Sequence, residues 1–273
     1  MPPEGLPDTS GQEQRHTSAT GGSGADSAGR PWEGRSFASH DTAYAGDDGS
    51  ADPRLLEAIH AFQAVEVSAG VVLDALRHAR LLIPLMAHAG DEGVNEHGVA
   101  VDKTQELAIV TVAGPDGRTV LPAFTSVAAL SAWDPAARPV PAESRRVAIA
   151  AAAEETQLLV LDPGSETEFG VRRPALWALA QDLPWIPSYA DDEVAEAFLA
   201  ATSGERSVAS VTVAAGSPSA RLDAPEVVVS LGLLPGLDRA ALAGLLARVQ
   251  AGWAASSVIA TRVDSLAVRV VPA

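Results

Sequence analysis

The sequence predicts an α/β (α+β) protein: a mixed sheet flanked by helices, followed by a small C-terminal ββαβ domain. Three observations carry this. Apolar runs of strand length interleave with longer amphipathic stretches along the chain. The passage from Asp102 to Trp133, DKTQELAIVTVAGPDGRTVLPAFTSVAALSAW, holds a strand, a tight turn, a second strand and a helix. From Val208 onward two strands, a helix and a last strand follow within about 70 residues, enough for a small domain.

Order is expected to begin at Asp52-Pro53, an N-cap and a first helical residue ahead of Leu55, Leu56, Ile59 and Phe62. A second helix runs over Val71–His78, with Val72, Leu73 and Leu76 on one side. It leads into Arg80–Met86, a buried strand in which Pro84 marks a bulge or an edge. Ala87–Val101 is polar and Gly-punctuated, as a loop would be. In Leu107–Val112 both faces are apolar, so the strand is expected to be covered on both sides. Gly114-Pro115-Asp116-Gly117 supplies the turn, Pro presetting the first central dihedral and Gly accepting a positive φ; Thr119–Leu121 returns as the partner strand. Ser126 caps a helix through Trp133. A helix over Glu143–Glu154 is expected to bury Val147 and Ile149. Leu158–Leu161 is a strand ended by Asp162-Pro163-Gly164, Glu168–Arg172 a short pairing strand, and Pro174 opens a helix through Gln181. An acidic helix covers Asp191–Ala200. The last four elements are strands Val208–Ala214 and Glu226–Leu233, helix Asp238–Trp253 and strand Leu266–Val270.

This gives a disordered leader over residues 1–50, a main domain over 51–202 and a small α/β domain over 203–273. The leader is Gly-, Ser- and Asp-rich and cannot bury enough apolar surface to offset the entropy of ordering it. Its Trp32, Phe37 and Tyr44 are either docking points or incidental aromatics.

Composition excludes several function classes. The formal net charge of −16 opposes nucleic acid and acidic membrane surfaces, since affinity for phosphates comes from Lys and Arg. With no cysteine there is no disulfide, thiolate nucleophile or Cys-based zinc site. The N-terminus lacks the basic start and apolar core of a secretory signal, and no run approaches the ~18 apolar residues of a membrane span. The expected location is cytoplasmic.

No phosphate loop, dinucleotide fingerprint, HExxH or GxSxG motif is present. His88, Asp91, Glu92, Glu96 and His97 crowd one short segment, where imidazoles and carboxylates could converge on a divalent ion or form a solvated acidic loop; their spacing matches no established site. Arg145-Arg146 and Arg172-Arg173 are paired guanidiniums suited to an anion or to internal carboxylates.

The passage DKTQELAIVTVAGPDGRTVLPAFTSVAALSAWDPAARPVP, followed by LLVLDP and RRPALWALAQDLPWIPSY, resembles the N-terminal domain of the SseB family in its actinobacterial form, over roughly residues 55–190. LPAFTS and RRPALWALA are its most diagnostic parts. The stretch from Val208 through GLDRAALAGLLARV to RVDSLAVRVVPA is similar to the end of the same proteins, so the resemblance implies membership along the whole chain. It brings no catalytic motif and no counterpart for the His88–His97 loop.

The chain is therefore expected to be a non-enzymatic module that binds another protein, with no cofactor and no metal. Phe124, Trp133, Trp177 and Trp185 are the candidate anchors, because aromatics dominate interface energetics; each is also the kind of residue a core uses. The alternative is a small-molecule or metal-binding protein or hydrolase built on the His88–His97 loop and the paired arginines. A third route is a homo-oligomer formed through the strand 226–233, were its edge unpaired.

Overall fold

Asp52 starts the first helix as its chemistry dictates: its carboxylate accepts the Arg54 N–H at 2.8 Å, and Pro53 sits in the first turn, where an N–H would have no partner. The computed structural model describes residues 44–87, 92–94, 100–102, 107–114, 117–153, 156 and 158–273. The expected leader, up to residue 43, lies outside them. In chain order the helices are α1 (Pro53–Gln63), α2 (Ala69–Arg77), α3 (Val127–Trp133), α4 (Ser144–Ala153), α5 (Arg173–Gln181), α6 (Asp192–Ala200), α7 (Arg239–Ala254) and α8 (Ser257–Arg262). The strands are β1 (Arg80–Ala87), β2 (Glu92–Val94), β3 (Ala100–Asp102), β4 (Leu107–Ile109), β5 (Val112–Ala113), β6 (Thr119–Ala123), β7 (Arg138–Glu143), β8 (Leu159–Leu161), β9 (Phe169–Val171), β10 (Val208–Ala215), β11 (Val227–Leu233) and β12 (Leu266–Pro272).

Mixed sheets and flanking helices make this an α/β fold. One sheet has the order β4-β1-β7, another β5-β6-β8-β9, and a bridge between Leu82 and Phe124 joins β1 to the end of β6. Pro84 was expected at an edge or bulge, yet β1 is the central strand of its sheet. Leu82 and Phe124 exchange both backbone bonds, at 2.8 and 2.9 Å, so Leu82 and, two residues on, Pro84 turn their nitrogens away from β7. The Pro84 nitrogen falls between the Leu82 bridge and the β4 pairing that begins at Leu85, where no ladder bond is lost. The same parity explains β7, whose two prolines hid it as a strand: Pro139 faces Pro84 and Pro141 faces Leu82, so both turn their nitrogens to the open edge.

Three other expectations need correction. Leu107–Val112 is not one strand: β4 pairs with β1 while β5 pairs with β6, the chain passing from one sheet to the other between them. The stretch expected as a loop, Ala87–Val101, contributes β2 and most of β3, an antiparallel pair with Glu92 opposite Asp102. Ile149 is half-exposed; α4 buries Val147, Ala148 and Ala151, the positions that share its inner face. The turn behaves as its glycine requires, with Gly117 at φ +80° and its N–H on the Gly114 carbonyl.

In the C-terminal sheet, order β10-β11-β12, β11 is central and pairs antiparallel with β10 and parallel with β12. Self-assembly through the edge of β11 is thereby excluded. Parallel pairing demands a crossover, and α7 with α8 supplies it; α8 was not foreseen in the sequence. Asp191 and Asp238 cap α6 and α7 through the N–H groups of Glu193 and Ala241.

Residues 47–273 form one compact unit. Its larger core packs α1, α2, α4 and α5 on the sheets, with Leu55, Ile59, Leu73, Leu76 and Leu176 fully enclosed. A second core joins Val194 and Phe198 of α6 to Val229, Leu231, Val249 and Trp253, the rings of Phe198 and Trp253 meeting edge to face at 5.2 Å. Among the described residues no helix is long and apolar enough to cross a membrane.

Candidate functional site

Two polar centres organise the described structure. The first follows from topology. Strands β6 and β8 are parallel, so their C-terminal ends lie side by side and bring Thr125 of LPAFTS against Asp162 of LLVLDP. The Asp162 carboxylate accepts the Thr125 N–H at 2.8 Å, the Thr125 hydroxyl at 2.7 Å and the Thr167 hydroxyl at 2.7 Å. Both Asp162 and Thr125 are buried. The Thr125 carbonyl accepts from Arg80, whose guanidinium also pairs with Asp47 and holds the Ser50 carbonyl, so residues 47–50 are fastened to the same place. The arrangement fixes two turns.

The second centre ties distant parts of the sequence together. Asp264, just ahead of β12, receives a two-pronged contact from Arg118 at 2.9 and 2.9 Å and a third from Arg172 at 3.3 Å. Arg172 also donates to Ser265 and to the Ala224 carbonyl. Next to this pair, Glu226 accepts from the Ser188 hydroxyl and from the Asp264 N–H. Arg172 and Glu226 face a cavity of about 40 Å³ walled by Phe62, Phe169, Trp185 and Tyr189. A water needs roughly 10–15 Å³ of such space, so the cavity suits a few waters.

Environment drives the two carboxylates apart. Burial raises Glu226 above the ordinary carboxylate range, helped by the neighbouring Asp264 charge and only partly offset by the Ser188 and Asp264 hydrogen bonds and by Arg172. Burial also pushes Asp264 upward, but the Arg118 hydrogen bonds and the charges of Arg118 and Arg172 outweigh it and hold Asp264 below that range. Burial lifts the Tyr189 phenol, and Glu226 adds to the rise. A raised folded pKa means the native state binds a proton the unfolded chain has released, so the Glu226 contribution is complete below the unfolded value near 4.5 and is lost as pH rises through the folded one. Glu226→Gln is therefore expected to gain stability relative to the parent as pH rises above 4.5, by at most about 1.4 kcal/mol per pH unit; urea melts across a pH series measure it.

The predicted anchors are dispersed. Phe124 has no exposed surface and stacks on half-buried Trp133 at 5.2 Å, in a small cluster with Leu82 and Leu130. Trp177 lies on the outer side of α5 with the Arg173 guanidinium 5.5 Å from its ring centre. Trp185 packs on the larger core and walls the cavity. The arginine pairs bond internally: Arg145 to the Ala180 carbonyl, Arg172 to Asp264, and Arg173 to the carbonyls of Ala260 and Val263. In the His88–His97 segment His88, Asp91, Glu96 and His97 lie outside the described residues, and of Glu92 only the backbone is described. Among the described residues no three His, Asp or Glu side chains are grouped to hold a metal ion.

Sequence reasoning missed Thr125, Asp162, Glu226 and Asp264. The first two carried a signal, a polar residue directly after an apolar strand at Phe124-Thr125 and Leu161-Asp162. Asp264 stands 146 positions from Arg118, and no local pattern marks such a pair.

Mixed sheets, helices on their faces and polar centres that join segments of chain define an α/β protein whose organising charges are internal. Residues 55–178 match the family model of the SseB protein N-terminal domain, a stretch that includes both Thr125 and Asp162. The chain carries an SseB protein N-terminal domain over these residues, and residues 179–273 lie beyond the matched domain. Searches of curated proteins and of solved structures found no match.

Proposed function

We propose that this protein acts by binding another protein and carries no reaction of its own. The observation that supports this reading is the segment Asp182-Leu183-Pro184-Trp185-Ile186-Pro187, where Leu183 is 50% and Ile186 60% exposed. Apolar side chains in a surface loop normally belong to a mobile segment, but this loop is pinned. Arg77 donates to the Asp182 carboxylate at 2.9 Å and to the Leu183 carbonyl at 2.7 Å, while Trp185 is rooted in the core. Pro184 and Pro187 restrict the backbone further. A rigid apolar display loses little entropy when a partner covers it, which is the condition for an anchor to yield affinity. Trp177, on the helix that leads into this loop, extends the same sequence segment. The buried carboxylates bind Thr, Ser and Arg side chains of their own chain, which favours a structural use for them over acid–base work.

The test is capture from the native host with the full chain and with Leu183→Asp/Ile186→Asp, followed by calorimetry with the purified partner. Both positions are exposed, so the variant is expected to keep the parent circular dichroism spectrum. Its affinity is expected to fall by at least about thirtyfold, the loss of one central anchor. Equal affinity of parent and variant overturns the proposal.

A further inference from the structure

Among the strands of the described structure, one long edge carries neither charge nor proline. Every sheet edge offers unpaired N–H and C=O groups to another strand, and proteins blunt such edges with prolines, charges, bulges, shortness or a covering loop. Here β7 turns the nitrogens of Pro139 and Pro141 outward and carries Arg138 and Glu143. The outer side of β9 is taken by the Ala220 carbonyl, which accepts the Gly170 N–H at 2.7 Å. The edge strands β4 and β5 have three and two residues. On the far side of the C-terminal sheet, β12 carries Arg269 and Pro272. Only β10, VASVTVAA, is eight residues long with no charge and no proline; its ladder with β11 shifts register between Val208 and Ser210, so the regular open edge runs from Ser210 to Ala215.

Its register shows which groups it offers. Gly216 donates to the Glu226 carbonyl at 2.8 Å, so Ala214 and Thr212 face β11, and Val211, Val213 and Ala215 direct their backbone groups to the open side. Among the described residues no strand pairs there. Ser210, Thr212 and Ala214 project from the sheet face opposite the core and are exposed, short and uncharged.

We propose that β10 pairs antiparallel with β10 of a second copy of this chain across a two-fold axis at Thr212, joining two three-stranded sheets into one of six. Charge permits this occupant: the chain carries −16, and this uncharged edge adds nothing to the repulsion between two copies. The pairing is also self-complementary. With the axis at Thr212, Val211 and the second copy's Val213 exchange both backbone bonds, and the two Thr212 side chains meet as a close cross-strand pair. Six strands lie within the usual size of a sheet. This inference is independent of the loop at Leu183–Ile186.

The test is sedimentation equilibrium on the full chain from micromolar to several hundred micromolar, at low and at high salt. The mass is expected to climb from 28.0 kDa toward twice that value, more steeply in high salt, where screening weakens the repulsion between two acidic copies. Thr212→Glu and Thr212→Lys each set like charges against each other on the axis and are expected to raise the dimer dissociation constant at least about tenfold, while their equimolar mixture restores it. A parent mass of 28.0 kDa throughout, assembly beyond the dimer, unchanged dimers in both variants, or a mixture no tighter than its components overturns the proposal. Should a variant fail to fold, the parent mass decides.

Discussion

Asp162→Ala is expected to lower the free energy of unfolding by about 4 kcal/mol, read as a fall in the urea midpoint with an unchanged slope. The Thr125 N–H and the hydroxyls of Thr125 and Thr167 all donate to this carboxylate. A buried donor left without an acceptor costs about 1–3 kcal/mol, and the hydroxyls can rotate to partial substitutes while the N–H cannot. Asp162 also sits at φ +43°, a region Asp and Asn tolerate better than Ala. Asp162→Asn keeps the backbone preference and one acceptor oxygen, so its cost is expected to be about 1–2 kcal/mol. Thr125→Val, which removes one hydroxyl donor, should stay near 1 kcal/mol. A cost below 1 kcal/mol for Asp162→Ala would show that the junction of β6 and β8 is held by packing alone.

Asp264→Ala is expected to cost about 3–5 kcal/mol, because it strands Arg172, whose side chain is only 8% exposed, without its counter-charge. The companion changes separate the causes. Arg118 is 39% exposed and can turn to water, so Arg118→Met should cost about 1 kcal/mol. Combining Asp264→Ala with Arg172→Met removes the orphaned charge and should recover part of the loss; a purely additive double variant would show that the two groups do not interact. The pH dependence has a fixed sign. Asp264 has a depressed folded pKa, so its contribution is present above the unfolded value near 3.8 and is lost as pH falls through the folded one. Asp264→Ala should therefore lose less stability than the parent in that acid range.

Much of the fold was legible because its signals are local. Asp52, Ser126, Asp191 and Asp238 each cap the helix that the sequence assigns to them. What escaped was decided at a distance. The helix inner face of α4 depends on where α5 packs, which is why Val147 went in and Ile149 out. Arg138–Glu143 could be recognised as a strand only once Pro84 stood opposite Pro139 and the open edge took both β7 nitrogens. The site was less legible than the fold for the same reason. The aromatics chosen for interface chemistry were divided by their neighbours, Phe124 enclosed and Trp185 half-rooted, while the polar residues that organise the structure are paired across 37 positions for Thr125 and Asp162 and 146 for Arg118 and Asp264.

The clasp at Asp264 also sets how much of the chain is needed to balance the charges of the matched domain. Arg118 and Arg172 lie inside the matched family domain, which ends at residue 178, whereas the carboxylate that pairs with both lies 86 residues (264 − 178) past that end. The segment 264–272 thus serves twice: Asp264 neutralises a buried arginine, and β12 lies alongside β11. Cutting the chain at residue 178 would leave Arg172 without its carboxylate, so the span that balances these charges is longer than the span the family model matches.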